Sequence, residues 1–103
     1  MKLWIDDVRP APESFIRTWD WAISVNNAKK AIIWYEEHGH PYELIDLDHD
    51  AGDFACDGGD YIRLLDWLEE TGRNYPIRIH SANPVGVQNM RRIIERNGWK
   101  EVF

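Results

Sequence analysis

The distribution of apolar residues along the chain predicts five short strands. Buried strands of a parallel sheet read as short continuous apolar runs, bounded by polar or turn-forming residues. Runs of this kind occur at 3–5, 19–25, 42–47, 77–79 and 99–103. We expect each of them to form a strand.

Between these runs, apolar side chains recur at helical spacing and predict three helices. The first follows the candidate N-caps Asn26 and Asn27, and the second opens within 57–60. The third begins at Asn83-Pro84, where an asparagine cap precedes a proline that needs no N–H in the first turn. A glycine follows each of the three segments and is expected to end it.

Strands that alternate with helices predict an α/β fold, with a parallel sheet and helices on both of its faces. The length of 103 residues fits one domain that spans 1–103. Ligands of such sheets bind beyond the carboxyl ends of the strands. The polar residues after the first, third and fourth strands should therefore meet at one edge.

Composition narrows the class of protein. The formal charge of −6 argues against a protein that holds duplex nucleic acid through phosphate contacts, but it allows a small anionic ligand in a locally positive site. The single cysteine, Cys56, fits a reducing compartment. No apolar run is long enough for a signal peptide or a membrane span, so we expect a soluble cytoplasmic protein without membrane contact. The six tryptophans are interpreted as core and sheet-packing residues, not as an aromatic ligand box.

Three aspartates follow predicted strands: Asp6 and Asp7 after the first, and Asp48 after the third. Carboxylates gathered at one sheet edge repel each other unless a cation neutralises them. Oxygen-rich acidic sites suit hard cations, so this pattern predicts a site for Mg²⁺ or Mn²⁺. Turn formation by aspartate is the structural alternative. The acidic loop at 50–60 lacks the ligand spacing of an EF-hand, which argues against calcium.

His49 and His80 follow different strands at the same predicted edge. Imidazole gains or loses a proton near neutral pH, so the two could act with Asp48 as acid and base on a phosphodiester. They could equally be metal ligands or hydrogen-bonded structural residues.

Candidate phosphate-binding residues surround these groups. Asp50 borders them, and Ser81, Asn83 and Gly86 lie where the fourth strand leads into a helix N-terminus whose N–H groups can hold a phosphate. Asn83 is also fully explained as a helix cap. Arg9 could neutralise Asp6 and Asp7, or it could hold a phosphate.

The segments LWIDDVRPAP, LDHDAG, DG and HSANPVG resemble a receiver-like family proposed to process cyclic phosphates. The resemblance extends along nearly the whole chain. It implies a doubly wound, receiver or flavodoxin-like sheet of about five strands. It also implies that Asp6, Asp7 and Asp48 form the metal and phosphoryl pocket, with Ser81 at the hydroxyl position.

The chain departs from a signalling receiver in three respects. Such a receiver keeps a lysine at the end of its fifth strand and a helix after it, whereas Lys100 lies early in the last run and no last helix is expected. The segment at 10–18 is too short for a full first helix. These departures favour a hydrolytic or ligand-binding pocket over a phosphoacceptor.

Three functions remain in competition. The first is a metal-dependent phosphoesterase that acts on a cyclic nucleotide or a 2′,3′-cyclic phosphate end. The second is a binding module that holds a cyclic nucleotide or a phosphorylated ligand without turnover. The third is a degenerate receiver used for protein contact, in which the run at 99–103 is an edge strand that a second copy could pair with.

Overall fold

A computed structural model of the chain describes residues 1–12 and 18–103. The strands are β1 (Lys2–Ile5), β2 (Trp19–Ala22), β3 (Leu44–Leu47), β4 (Ile77–Ile79) and β5 (Glu101–Val102). The helices are α1 (Val25–Glu37), α2 (Ile62–Glu70) and α3 (Pro84–Asn97), and a 3₁₀ helix covers Gly52–Cys56. The strands form one sheet in the order β2-β1-β3-β4-β5, and all neighbours are parallel. This order confirms the predicted doubly wound α/β fold.

The connections through α1, α2 and α3 all run in the same direction across the sheet. Because such crossovers are right-handed, the three helices lie on the same face, and α2 packs against both of the others. The predicted shortened first helix falls within 10–18, and residues 13–17 of that segment lie outside the described residues. None of the described helices has the length and apolar character needed to cross a bilayer.

Alternate positions of the strands build the core between the sheet and the helices. Leu3, Ile5, Ile45, Leu47 and Ile77 are each at most 1% exposed and belong to one apolar cluster with the helices. Side chains alternate between the two faces of a strand, so the intervening positions point away from this core.

A row of intervening positions crosses the second face of the sheet. Trp4 lies opposite Trp21 on one side and Asp46 on the other, and Asp46 lies opposite Arg78. Trp4 and Asp46 are buried. The second face therefore contains a buried carboxylate beside an aromatic ring.

The sequence placed the start of α1 too late. β2 ends at Ala22, and Ser24 caps α1 by accepting a hydrogen bond from Asn27 N at 3.1 Å. The prediction of Asn26 or Asn27 as the cap was therefore wrong. Ser24 takes this position because it follows the end of the strand after one intervening residue, still in an extended conformation (φ −136°, ψ 163°).

The predicted start of α2 within 57–60 was also wrong, since the helix begins at Ile62. Gly58 and Gly59 have φ values of 113° and 90°, which interrupt helical geometry before that point. The start of α3 is confirmed: Asn83 Oδ1 accepts from Gly86 N at 3.0 Å. The second, third and fifth strands are shorter than predicted.

Candidate functional site

Three residues that directly follow strands lie side by side at the carboxyl edge of the sheet. Asp6 N donates to Ala22 O at 3.3 Å, Asp48 N to Ile5 O at 3.0 Å, and His80 N to Leu47 O at 2.9 Å. These bonds continue the parallel ladder one step beyond β1, β3 and β4. The backbone thus fixes Asp6, Asp48 and His80 in neighbouring positions.

Asp6 is a fully buried carboxylate held by four donors. Oδ1 accepts from the backbone N–H groups of Val8 and Arg9, each at 2.9 Å, and Oδ2 lies 3.2 Å from Arg9 Nε and 3.0 Å from His80 Nε2. Burial raises the pKa of Asp6, but these hydrogen bonds outweigh it, and the pKa is lowered overall. Asp6 is thus a fixed negative charge at the floor of the site.

The imidazole of His80 lies between two buried carboxylates. Nδ1 is 2.6 Å from Asp46 Oδ1, Nε2 is 3.0 Å from Asp6 Oδ2, and the ring stacks on Trp4 with centroids 3.7 Å apart. Ionised carboxylates only accept, so this arrangement needs a proton on each ring nitrogen or on one carboxyl. As placed, neither nitrogen of His80 is free to coordinate or to accept a proton from substrate.

Asp46 was not among the site residues predicted from the sequence. The side chain is buried between His80 and Arg78, whose Nη1 lies 3.2 Å from Asp46 Oδ2. A strand alternates its faces, so Asp46 and Asp48 share one face. A buried carboxylate within an apolar strand needs hydrogen-bonding partners. The position of Asp46 within the apolar run at 42–47 could therefore have marked it as a site residue.

Arg9 bridges the two carboxylates at the edge. Its Nε lies 3.2 Å from Asp6 Oδ2, and its Nη2 lies 3.4 Å from Asp48 Oδ2 and 3.4 Å from His80 O. The Arg9 side chain is 56% exposed, so it can leave this position at little cost in burial. The guanidinium is the cation that neutralises Asp6 and Asp48 in this structure.

Among the described residues, Asp6, Asp48 and His80 form a group whose potential ligand atoms all lie within 4.8 Å of one another. The two carboxylates suit a divalent cation, whereas both ring nitrogens of His80 are already hydrogen-bonded to Asp46 and Asp6. Asp7, which was predicted as a third carboxylate ligand, does not belong to this group. Its carboxylate lies against Gly52, where a Cβ would collide with Asp7 Oδ2. Gly52 has a φ of 56°, so the turn and the close approach both require glycine there.

His49 belongs to a different group, with Asp50 and Asp60. Its Nδ1 lies 2.8 Å from Asp50 Oδ1, and its ring packs so closely on Gly86 that a Cβ there would lie 2.5 Å from the ring. Gly86 therefore makes room for His49 at the start of α3. The two predicted catalytic histidines do not share one cluster.

A cleft of about 280 Å³ joins several of the predicted residues. Arg9, Asp48, Asp50, Ser81 and Asn83 line it. Ser81 Oγ accepts from Asn83 N at 3.1 Å, which leaves the hydroxyl proton free to donate into the cleft.

The N-terminus of α3 offers fewer donors than the sequence suggested. Asn83 accepts from Gly86 N through its side chain and from Val87 N through its carbonyl, and Pro84 has no N–H. A phosphate in the cleft would therefore meet chiefly Arg9 and the Ser81 hydroxyl.

Lys100 lies at the amino-terminal edge of the sheet, opposite the edge that carries the cleft. It is exposed and precedes β5, whereas the cleft lies beyond the carboxyl ends of the strands. It is not placed to contact a phosphoryl group on Asp48.

The strand order and the acidic edge define the chain as a receiver-type α/β domain. The sequence matches the model of the cyclic-phosphate processing receiver domain over residues 1–96, and the chain belongs to this family. A comparison with curated proteins finds no match.

Proposed function

We propose that this domain is a metal-dependent phosphoesterase that opens a cyclic phosphate, on a nucleotide or at a 2′,3′-cyclic phosphate end. One observation carries the proposal. A single cleft combines the Asp48 carboxylate with the Arg9 guanidinium and the Ser81 hydroxyl, and thus pairs acidic groups with phosphate-binding donors.

The donor set fits a divalent ion. Asp6 and Asp48 would hold Mg²⁺ or Mn²⁺ through their carboxylates, and His80 would join them only after its Nε2 releases Asp6, since the ligand atoms of the three residues lie within 4.8 Å of one another. When bound, the ion supplies positive charge that polarises the phosphoryl group and activates water. Binding of the ion requires the exposed Arg9 side chain to turn away from the two carboxylates. In its new position Arg9 can donate to a phosphate oxygen.

Ring opening needs one proton taken and one given. The oxygen of a water molecule bonds to phosphorus, one ester P–O bond breaks, and the leaving oxygen receives a proton. His49 is the better candidate for this transfer, since among the described residues only its Nδ1 is hydrogen-bonded, to Asp50, which lines the cleft. Asp46 would position His80 rather than contact substrate.

The test is mass spectrometry of the protein incubated with 2′,3′-cyclic nucleotides, 3′,5′-cyclic nucleotides and cyclic dinucleotides, with Mg²⁺, Mn²⁺ or chelator. We expect metal-dependent addition of one water to a member of the panel and its loss in Asp48→Asn. The matched control is Asp53→Asn, an exposed aspartate on the 3₁₀ helix that does not line the cleft. Intact recovery of every member with either metal would refute the enzyme proposal.

The second candidate is a binding module that holds the same phosphorylated ligands without turnover. Both ring nitrogens of His80 face carboxylates, and Arg9 already neutralises Asp6 and Asp48. A site of this kind is electrostatically complete without a metal. It predicts that a ligand raises the melting temperature and is recovered unchanged.

Arg9→Met separates the two candidates. Removal of the guanidinium leaves Asp6 and Asp48 without their bridging cation, so the enzyme proposal expects Mg²⁺ or Mn²⁺ to stabilise this variant more than wild type. Arg63→Met is the control, since Arg63 pairs only with Asp66 in the described part of the chain. The binding proposal expects Arg9→Met to lose ligand-dependent stabilisation without a gain in metal response.

A further inference from the structure

Asp50 forms part of the wall of the cleft and brings a negative charge to it. Its side chain is 61% exposed, and Oδ1 lies 2.8 Å from His49 Nδ1. Within residues 1–12 and 18–103, no N–H or O–H group donates to Oδ2, and every arginine ion pair involves another carboxylate. The contact with His49 therefore orients Asp50 and leaves Oδ2 able to accept from a molecule in the cleft.

The other polar side chains of the cleft, apart from Asp48, supply hydrogen-bond donors. Arg9 offers its guanidinium and Ser81 its hydroxyl proton. Asn83 uses Oδ1 to cap α3, so its Nδ2 can donate. These donors suit the phosphoryl oxygens of a ligand, whereas an ionised Asp50 can only accept.

A phosphate held by these donors would lie in the same small cleft as the Asp50 carboxylate, and the two negative charges would repel each other. A donor on the ligand that bonds to Asp50 would offset this repulsion. Sugar hydroxyls and base nitrogens are the groups of a cyclic nucleotide that can donate. The cleft volume of about 280 Å³ is at the small end of ligand sites, roughly 300–1,000 Å³, so it suits the sugar and its phosphate and leaves the base outside.

We propose that Asp50 is a specificity-determining residue that selects cyclic phosphates whose sugar keeps a free hydroxyl. In a 3′,5′-cyclic ribonucleotide this group is the 2′-hydroxyl, and in a 2′,3′-cyclic mononucleotide it is the 5′-hydroxyl. The hydroxyl donates to Asp50, while Arg9 and Ser81 hold the phosphoryl oxygens. This inference rests on the proposed function and adds to it the class of sugar and the residue that recognises it.

The test compares two matched pairs of ligands: 3′,5′-cyclic AMP with its 2′-deoxy form, and 2′,3′-cyclic AMP with its 5′-deoxy form. Affinities are measured in chelator from the amide signals of Ser81 and Asn83 in ¹H–¹⁵N NMR spectra. Values of kcat/KM are measured with Mg²⁺ or Mn²⁺ by mass spectrometry. For the preferred isomer, we expect loss of the hydroxyl to lower affinity at least about tenfold, because a hydrogen bond to a charged group is lost.

The outcomes separate this inference from the proposed function. Equal affinities and equal kcat/KM values within the pair of the preferred isomer would overturn the inference and leave the proposed function standing. The absence of both binding and turnover with every ligand would overturn both.

A donor on the base is the competing explanation of any preference. It is tested with 3′,5′-cyclic UMP and 2′,3′-cyclic UMP, in which uracil replaces adenine. We expect this exchange to change affinity less than the loss of the hydroxyl does, since the cleft has room for the sugar and phosphate only. A larger effect of the base would overturn the inference.

Asp50→Asn locates the effect. Asparagine can still accept from His49 Nδ1, but it removes the charge and turns an N–H₂ donor toward the cleft. We expect the deoxy analogue to bind at least as tightly as it binds to wild type, and the roughly tenfold preference for the hydroxyl to disappear. Asp53→Asn makes the same change of charge at an exposed position outside the cleft and should keep the preference. An unchanged preference in Asp50→Asn would show that Asp50 acts only through His49 and would overturn the inference.

Discussion

Asp46→Asn tests whether the buried carboxylate of Asp46 stabilises the fold through His80. The hydrogen bond to His80 Nδ1 is 2.6 Å long, and the side chains are 0% and 11% exposed. A hydrogen bond to a charged group in such surroundings contributes about 1.5–3 kcal/mol. The Arg78 side chain is 42% exposed, so its pair with Asp46 adds at most about 1 kcal/mol.

Asparagine keeps the shape of Asp46 and can accept from His80, but it loses the charge and turns an N–H₂ donor toward the Arg78 guanidinium. We therefore expect Asp46→Asn to reduce the free energy of unfolding by about 2–4 kcal/mol at pH 7. With a urea m-value of about 1–3 kcal/mol/M, the unfolding midpoint should fall by roughly 0.7–4 M. The assay is urea unfolding followed by tryptophan fluorescence.

Two controls make the result specific. Asp66→Asn alters a carboxylate that is 34% exposed and paired with Arg63, and it should change stability by less than about 0.5 kcal/mol. Arg78→Met should cost at most about 1 kcal/mol. A midpoint shift in Asp46→Asn no larger than in Asp66→Asn would refute the reasoning. An equal effect of Arg78→Met would assign the stabilisation to the arginine instead of His80.

Three further changes have definite expected outcomes. Gly86→Ala gains about 1 kcal/mol of helix propensity but places a Cβ 2.5 Å from the His49 ring. We therefore expect a net loss of stability in urea unfolding and a shifted His49 NMR signal. An unchanged His49 signal would contradict the contact. The hydrogen bonds from Arg73 lower the pKa of Glu36. The ionised Glu36 therefore stabilises the fold at pH values above the ordinary pKa of a glutamate, and this stabilisation is lost as the pH falls through the lowered pKa. Glu36→Gln should therefore be less stable at pH 7 and lose less stability between about pH 5 and 3, whereas parallel stability curves would count against the pair. Asn83→Ala should cost about 1 kcal/mol by loss of the cap, and Asn83→Ser should restore it; failure of serine to restore stability in thermal unfolding would argue against capping as the main role.

The sequence predicted the sheet well because each strand is a short apolar run whose burial does not depend on details of its partners. It also predicted which polar residues lie at one edge, since the carboxyl ends of parallel strands meet there. Element starts were less predictable: Ser24 and Asn27 are both good caps in isolation, and only the end of β2 selects between them.

The pairing of charged side chains within the site could not be predicted from local pattern. Nothing in the spacing of the sequence places Arg9 between Asp6 and Asp48, or puts both nitrogens of His80 against carboxylates. These contacts depend on side-chain conformations that only the assembled sheet defines. The same holds for Trp21, whose exposure follows from the position of β2 at the edge of the sheet.

The two candidate functions differ in which cation lies between Asp6 and Asp48. A guanidinium fixed there satisfies the carboxylates and leaves a site suited to holding a phosphate. A divalent ion there would free Arg9 for the substrate and supply the charge that a phosphoryl transfer needs. Arg9 is more than half exposed and held by contacts of 3.2–3.4 Å, whereas Asp6 is buried under four donors. The carboxylates are thus the fixed part of the site and the cation is the exchangeable part, so the two candidate functions are separated by whether a metal displaces Arg9.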